Sequence, residues 1–210
     1  MTRKSYLIVE FLLLFAAGPL YLFLHKPSLP PIPLLWALAL YCFLMLRRDP
    51  GFDRSQFWNP LPLRSQLRSI LILFAVGIVI LSGAVCVFAP SLLFSFLKTH
   101  PAVWALVMLL YPVLSVYPQG IVYRVFVMHR YREIVQKEWA LILLSALVFS
   151  FMHIVFRNTE AVALTLAGGP LFAYRQLRTR SLFVSSVEHA LYGCFVFTIG
   201  LGQFFFVRLI

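Results

Sequence analysis

The chain has 210 residues, 61% of them hydrophobic and 12% charged, with a formal net charge of +11. A soluble domain is about half apolar and about a quarter charged, so a single soluble core is excluded. The excess of Lys and Arg would suit a nucleic-acid partner, but these residues are spread over several loops rather than gathered into one patch, and no nucleic-acid role is expected.

The apolar residues come in blocks near the roughly 17 to 25 residues that cross a bilayer, which predicts an all-α, polytopic transmembrane helix bundle of about seven spans in one compact unit. In chain order the predicted spans are Tyr6 to Leu24, Pro31 to Leu46, Ser69 to Ala89, Ala102 to Val127, Trp139 to Phe156, Ala161 to Tyr174 and Leu182 to Val207. The first reads as an uncleaved span rather than a signal peptide, because its apolar run is too long and lacks a small-residue cleavage site. Pro27, Pro30, Pro31 and Pro33 separate the first two spans, and Pro90 and Pro101 bracket a semi-apolar connection with the character of an interfacial helix. The loop from Arg47 to Arg68 carries Phe57, Trp58 and several Arg, a composition that suits the cytoplasmic headgroup layer.

Thirteen basic residues fall on one side of this arrangement: Arg3, Lys4, Arg47, Arg48, Arg54, Arg64, Arg68, Arg130, Arg132, Lys137, Arg175, Arg178 and Arg180. Four fall on the other: Lys26, Lys98, Arg157 and Arg208. The bias predicts an integral membrane protein with the N-terminus cytoplasmic and membrane lipid as its surroundings. Cys42, Cys86 and Cys194 lie inside spans and read as apolar packing residues.

Ionisable groups at membrane depth are costly and mark functional sites. In the C-terminal half these are Arg124, His153, Glu188 and His189. Gln119 lies 17 residues before a turn near Gln136 and His153 lies 17 after it. At about 1.5 Å per residue, both sit roughly 25 Å from that turn. Four-residue spacing pairs Gln119 with Tyr123, Gly120 with Arg124, Phe149 with His153 and His189 with Gly193, and Pro118 predicts a kink before Gln119. The expectation is one polar cavity shared by Gln119, Gly120, His153 and His189. Glu188 points about 100° away from His189 around its helix and suits a buried pair with Arg124 or Arg175 better than catalysis or a shared metal ion. No metal and no cofactor are expected.

The order Gln119-Gly120-Ile121-Val122-Tyr123-Arg124, then Phe149-Ser150-Phe151-Met152-His153, then His189-Ala190-Leu191-Tyr192-Gly193 resembles the CPBP intramembrane protease family, which includes the type II CAAX prenyl proteases and the bacterial Abi proteins. That family's motifs read Glu-Glu-x-x-x-Arg, Phe-x-x-x-His and His-x-x-x-Asn. The resemblance covers roughly Pro101 to Phe206, which places the protease core at 101–210 and leaves 1–100 as N-terminal spans. It implies a CAAX-protease-like endopeptidase acting on membrane-embedded or prenylated peptides near the cytoplasmic face, in a bacterial inner or plasma membrane. It implies that His153 helps activate a water, that His189 holds the oxyanion and that Arg124 braces the site. Two departures follow. Both Glu positions are replaced, by Gln119 and Gly120, and the Asn position is Gly193. The base is then missing unless Glu188 or Glu160 supplies it, and a catalytically silent relative that binds membrane peptides or a partner membrane protein is the alternative. On this reading, Glu at position 119 or 120 restores cleavage.

Overall fold

A computed structural model describes residues 2–25 and 31–206; Lys26, Pro27, Pro30, Val207 and Arg208, named above, lie outside the described residues. No strand occurs among the described residues. The helices are α1 Arg3–His25, α2 Pro31–Arg48, α3 Leu63–Phe88, the short α4 Ser95–Thr99, α5 Pro101–Arg130, α6 Glu138–Phe156, α7 Thr159–Thr179 and α8 Leu182–Thr198. Helices α1, α2, α3, α5 and α6 are long and apolar enough to cross a membrane. Helices α7 and α8 complete the bundle. The chain is an all-α polytopic membrane protein.

Prolines shape the two helices that matter most for the site. Pro112 and Pro118 have no N–H to donate within α5, and the backbone near them widens into π-helical turns over Pro112–Val116 and Gly120–Phe126. All seven residues of the second wide turn are buried. In α1 the same device precedes Pro19, where the turn Leu13–Ala17 closes through Gly18 N–H on the Leu13 carbonyl.

The hairpin between α6 and α7 is tight. Helix α6 ends in a 3₁₀ turn, His153–Phe156, and Arg157 takes a left-handed conformation. The Asn158 side chain then caps α7 by accepting from Ala161 N–H at 2.8 Å. Gly169 lets the two helices touch: a Cβ there would lie 3.0 Å from Ala146 Cα, the close approach that small residues permit in membranes.

The last helix is shorter than expected. It stops at Thr198 rather than continuing to Val207, because Gly200 adopts φ 97° and a Cβ there would meet the Leu92 carbonyl oxygen at 1.9 Å. The following turn, Leu201–Phe205, folds back over the bundle and brings Phe205 against His153, with ring centroids 5.8 Å apart. The segment between Pro90 and Pro101 holds one 3₁₀ turn, Pro90–Leu92, and α4.

Contacts between loops define two ends. At one, Arg3 pairs with Glu133, Asp49 with His129, and Ser181 Oγ donates to the Asn59 carbonyl at 2.6 Å. This end gathers the basic loops. At the other end, Asn158 Nδ2 donates to the Phe204 carbonyl at 2.8 Å, and Arg157 reaches the Phe23 carbonyl. The loop after α2 does not simply lie flat on headgroups. Phe52 is buried in the core and Phe57 packs against Phe43 and Phe52, while Trp58 and Leu61 are exposed.

A buried carboxylate ties the N-terminal helix to the rest. Glu10 accepts from Arg130 Nε and Nη2 at 2.9 and 3.1 Å and also meets the hydroxyls of Tyr6, Tyr41 and Tyr131. Around it Phe11, Phe15, Phe126 and Tyr131 pack edge to face or tilted.

Candidate functional site

Helices α2, α3, α5, α6, α7 and α8 enclose a partly open cavity of about 750 Å³. Gln119, His153, His189 and Gly193 all line it, together with Tyr111 and Phe149. Both histidines lie against the Phe149 ring, at 4.8 Å for His153 and 5.4 Å for His189 between centroids. The imidazoles are therefore well inside two helix diameters of each other, a span of roughly 20 Å. Convergence follows from the wide turns in α5, the tight end of α6 and the backward fold after Gly200.

The protons of the two imidazoles can be assigned from their partners. His153 Nδ1 lies 2.7 Å from the Phe149 carbonyl oxygen. A carbonyl only accepts, so Nδ1 carries the proton and Nε2 keeps its lone pair. No hydrogen bond among the described residues engages that Nε2. His189 is held the other way round. Arg124 Nη1 lies 3.2 Å from its Nδ1, and a guanidinium only donates, so Nδ1 accepts and Nε2 bears the proton. Phe172 stacks on the same ring at 4.4 Å and 23°. The site thus offers one free basic nitrogen and one N–H donor from two neutral imidazoles.

Arg124 is 2% exposed and bonds to His189 and to the Val116 carbonyl, so it braces the site from inside and does not snorkel to headgroups. Gln119 Nε2 donates to Ser115 Oγ at 3.0 Å, and its Oε1 is buried without a partner. Gly120 lies one step further around α5. It is not part of the cavity wall, and a Cβ there would lie 2.3 Å from Leu182 Cδ1 and 2.5 Å from Arg124 Nη2. Its missing side chain makes room for the arginine.

Glu188 is fully buried and faces away from the cavity. It accepts from Arg175 Nε and Nη2 at 2.8 and 2.9 Å, and Arg175 Nη1 also donates to Gln66 at 2.5 Å and Ser69 at 2.8 Å. This network joins α3, α7 and α8. Glu160 sits in the first turn of α7 beside Thr159. Among the described residues, no Asp or Glu lines the cavity.

The cavity extends along the bundle from Tyr123, Phe172 and His189 toward the end opposite the basic loops. Pro31, Phe156 and Phe205 line it toward the end that carries Arg157 and Asn158. Tyr111 is a site residue that sequence reasoning passed over, although Tyr111, Ser115, Gln119 and Tyr123 repeat every four residues and all line the cavity.

The result is an apolar chamber inside a helical membrane bundle, with its polar side chains, Tyr111, Ser115, Gln119, His153 and His189 among them, contributed by α5, α6 and α8. The family model described as type II CAAX prenyl endopeptidase Rce1-like matches residues 100–195, a stretch that contains Gln119 to Arg124, Phe149 to His153 and His189 to Gly193. That stretch of the chain is similar to the CAAX-protease-like family of membrane endopeptidases. No curated protein and no solved structure gives a significant match.

Proposed function

We propose that the cavity receives an extended segment of a membrane-embedded or prenylated peptide, and that one peptide bond is presented to His153 and His189. The basic end faces the cytoplasm in this reading, and residues 101–210 form the working core. The observation that carries it is the pair of oppositely protonated imidazoles on one cavity wall, one with a free acceptor nitrogen and one with an N–H donor.

Hydrolysis at such a site has a definite course. His153 Nε2 takes a proton from a water as the water oxygen attacks the carbonyl carbon. The His189 Nε2–H supports the oxygen that becomes negative. The proton held by His153 then passes to the amide nitrogen as the C–N bond breaks. A carboxylate would normally hold and polarise that water. Gln119 accepts a hydrogen bond through Oε1 but takes no proton near neutral pH, and among the described residues no acid lines the cavity. Turnover by the chain as it stands is therefore slow, because His153 alone must both hold the water and take its proton; a carboxylate added beside it supplies proton-transfer assistance worth a factor of about 10² to 10⁴.

Binding can be tested apart from cleavage. A membrane-soluble apolar peptide carrying a photoreactive diazirine should label Leu110, Leu114 and Leu171, which line the cavity, more strongly than Val79 and Val87, which are exposed. Val79 and Val87 labelled as strongly as the cavity wall would contradict the proposed binding site.

A further inference from the structure

Gly193 and Tyr111 fit one another across the wall between α5 and α8. A Cβ on Gly193 would lie 2.3 Å from both Cε1 and Oη of Tyr111 and 2.6 Å from Cζ. The phenol thus fills the volume that any side chain at 193 would occupy. Gly193 lies one turn beyond His189, so the tip of that phenol stands beside the imidazole, with Oη 3.4 Å from Nε2. Phe197 packs against the Tyr111 ring at 5.2 Å and 69°, which fixes its position.

The proton assignment gives this contact a direction. His189 Nε2 carries the proton because Nδ1 accepts from Arg124. The Tyr111 oxygen is therefore the acceptor in the Tyr111–His189 contact, and its own O–H remains to be donated elsewhere. None of the hydrogen bonds among the described residues takes it, and Tyr111 lines the cavity. A half-buried hydroxyl with an uncommitted hydrogen, beside an N–H that makes only a long 3.4 Å contact to the phenol oxygen, can donate to an oxygen atom in the cavity and share that atom with the His189 N–H.

We propose that Tyr111 is a hydrogen-bond donor to the scissile carbonyl oxygen, supplied from α5 in the space that Gly193 leaves open on α8. This rests on the reading of the cavity as a peptide site. The interaction strengthens as the oxygen becomes negative, since hydrogen bonds to charged groups are about twice as strong as neutral ones. Tyr111 therefore favours the tetrahedral form over the bound peptide.

Two probes separate this role from a structural one: an apolar membrane-soluble peptide, and the same peptide ending in a trifluoromethyl ketone, whose hydrate is tetrahedral. Tyr111→Phe keeps the ring and removes only the hydroxyl. It should weaken the ketone by roughly 10- to 100-fold, as expected for one hydrogen bond to a charged oxygen, and change peptide affinity far less. The exchange Tyr111→Ala with Gly193→Asn moves a donor back to α8 and should recover ketone affinity relative to Tyr111→Ala alone. Gly193→Asn alone collides with the phenol and should lose it. Equal loss for both probes in Tyr111→Phe, or no loss for either, overturns the assignment. If the parent chain binds neither probe, the cavity is not a peptide site, and both readings fall.

Discussion

Replacing Glu188 by Gln tests whether that acid is structural or chemical. Its carboxylate accepts two hydrogen bonds from Arg175, and both side chains are almost wholly buried, 0% exposed for Glu188 and 3% for Arg175. The amide introduced by Glu188→Gln can accept one of the two and carries no charge, so the guanidinium stays buried with only Gln66 and Ser69 as further partners. Breaking a buried pair by removing one partner costs about 3–5 kcal/mol. The one charge-assisted hydrogen bond lost accounts for about 1.5–3 kcal/mol of this, and the buried guanidinium left without its counter-charge for the rest. At about 1.4 kcal/mol per tenfold, the unfolding equilibrium shifts by roughly 10² to 4 × 10³. Replacing both partners by apolar residues of similar size, as in Arg175→Met with Glu188→Leu, should recover most of the loss, since an apolar pair avoids burying any charge. Denaturation of the purified protein in detergent, followed by circular dichroism, measures each variant. If Glu188→Gln is as stable as the parent but abolishes peptide cleavage, Glu188 is the base and the pairing argument is wrong.

Three other outcomes follow from the same geometry. Glu10→Gln should destabilise less than Glu188→Gln, because the Arg130 side chain it leaves behind is 17% exposed and partly hydrated, and the same denaturation series ranks the two. Gly120→Glu should fail to raise peptide cleavage above the parent, because its side chain would meet Leu182 and the Arg124 guanidinium rather than enter the cavity; a rise comparable to that of Gln119→Glu would show the α5 register to be wrong. The hydrogen bond from His129, and then that from Gly51 N–H, holds the Asp49 carboxyl below its ordinary value, so its contribution to stability is present above the unfolded value of about 3.9 and is lost as pH falls through the folded one. Melting of the parent should drop in that acid range, and Asp49→Asn should flatten the drop.

How much of this was legible in the sequence differs by feature. The helical bundle, the two inward histidines and the position of Gln119 follow from apolar block length and four-residue spacing, which depend on neighbours along the chain. Arg124 was readable as a site brace or as a partner of Glu188, and only its hydrogen bonds to His189 and the Val116 carbonyl decide. The Tyr111–Gly193 fit joins residues 82 apart, and no local period reports it. The recurrence of Tyr111, Ser115, Gln119 and Tyr123 was a usable signal. Glu10 was visible as an acid inside the first apolar run, yet its partner Arg130 lies 120 residues away. The early stop of α8 was hidden because Gly200 looks like any glycine in an apolar run until the Leu92 carbonyl is packed against it.

In the proposed site His153 acts as base and position 119 limits the rate. The decisive measurement is cleavage of a membrane-embedded peptide by the parent, by Gln119→Glu and by Gln119→Glu with His153→Ala. Gln119→Glu should exceed the parent by about 10² or more, and adding His153→Ala should return the rate to the parent's level or below. Fast cleavage by the parent that survives His153→Ala would contradict the mechanism and the site together.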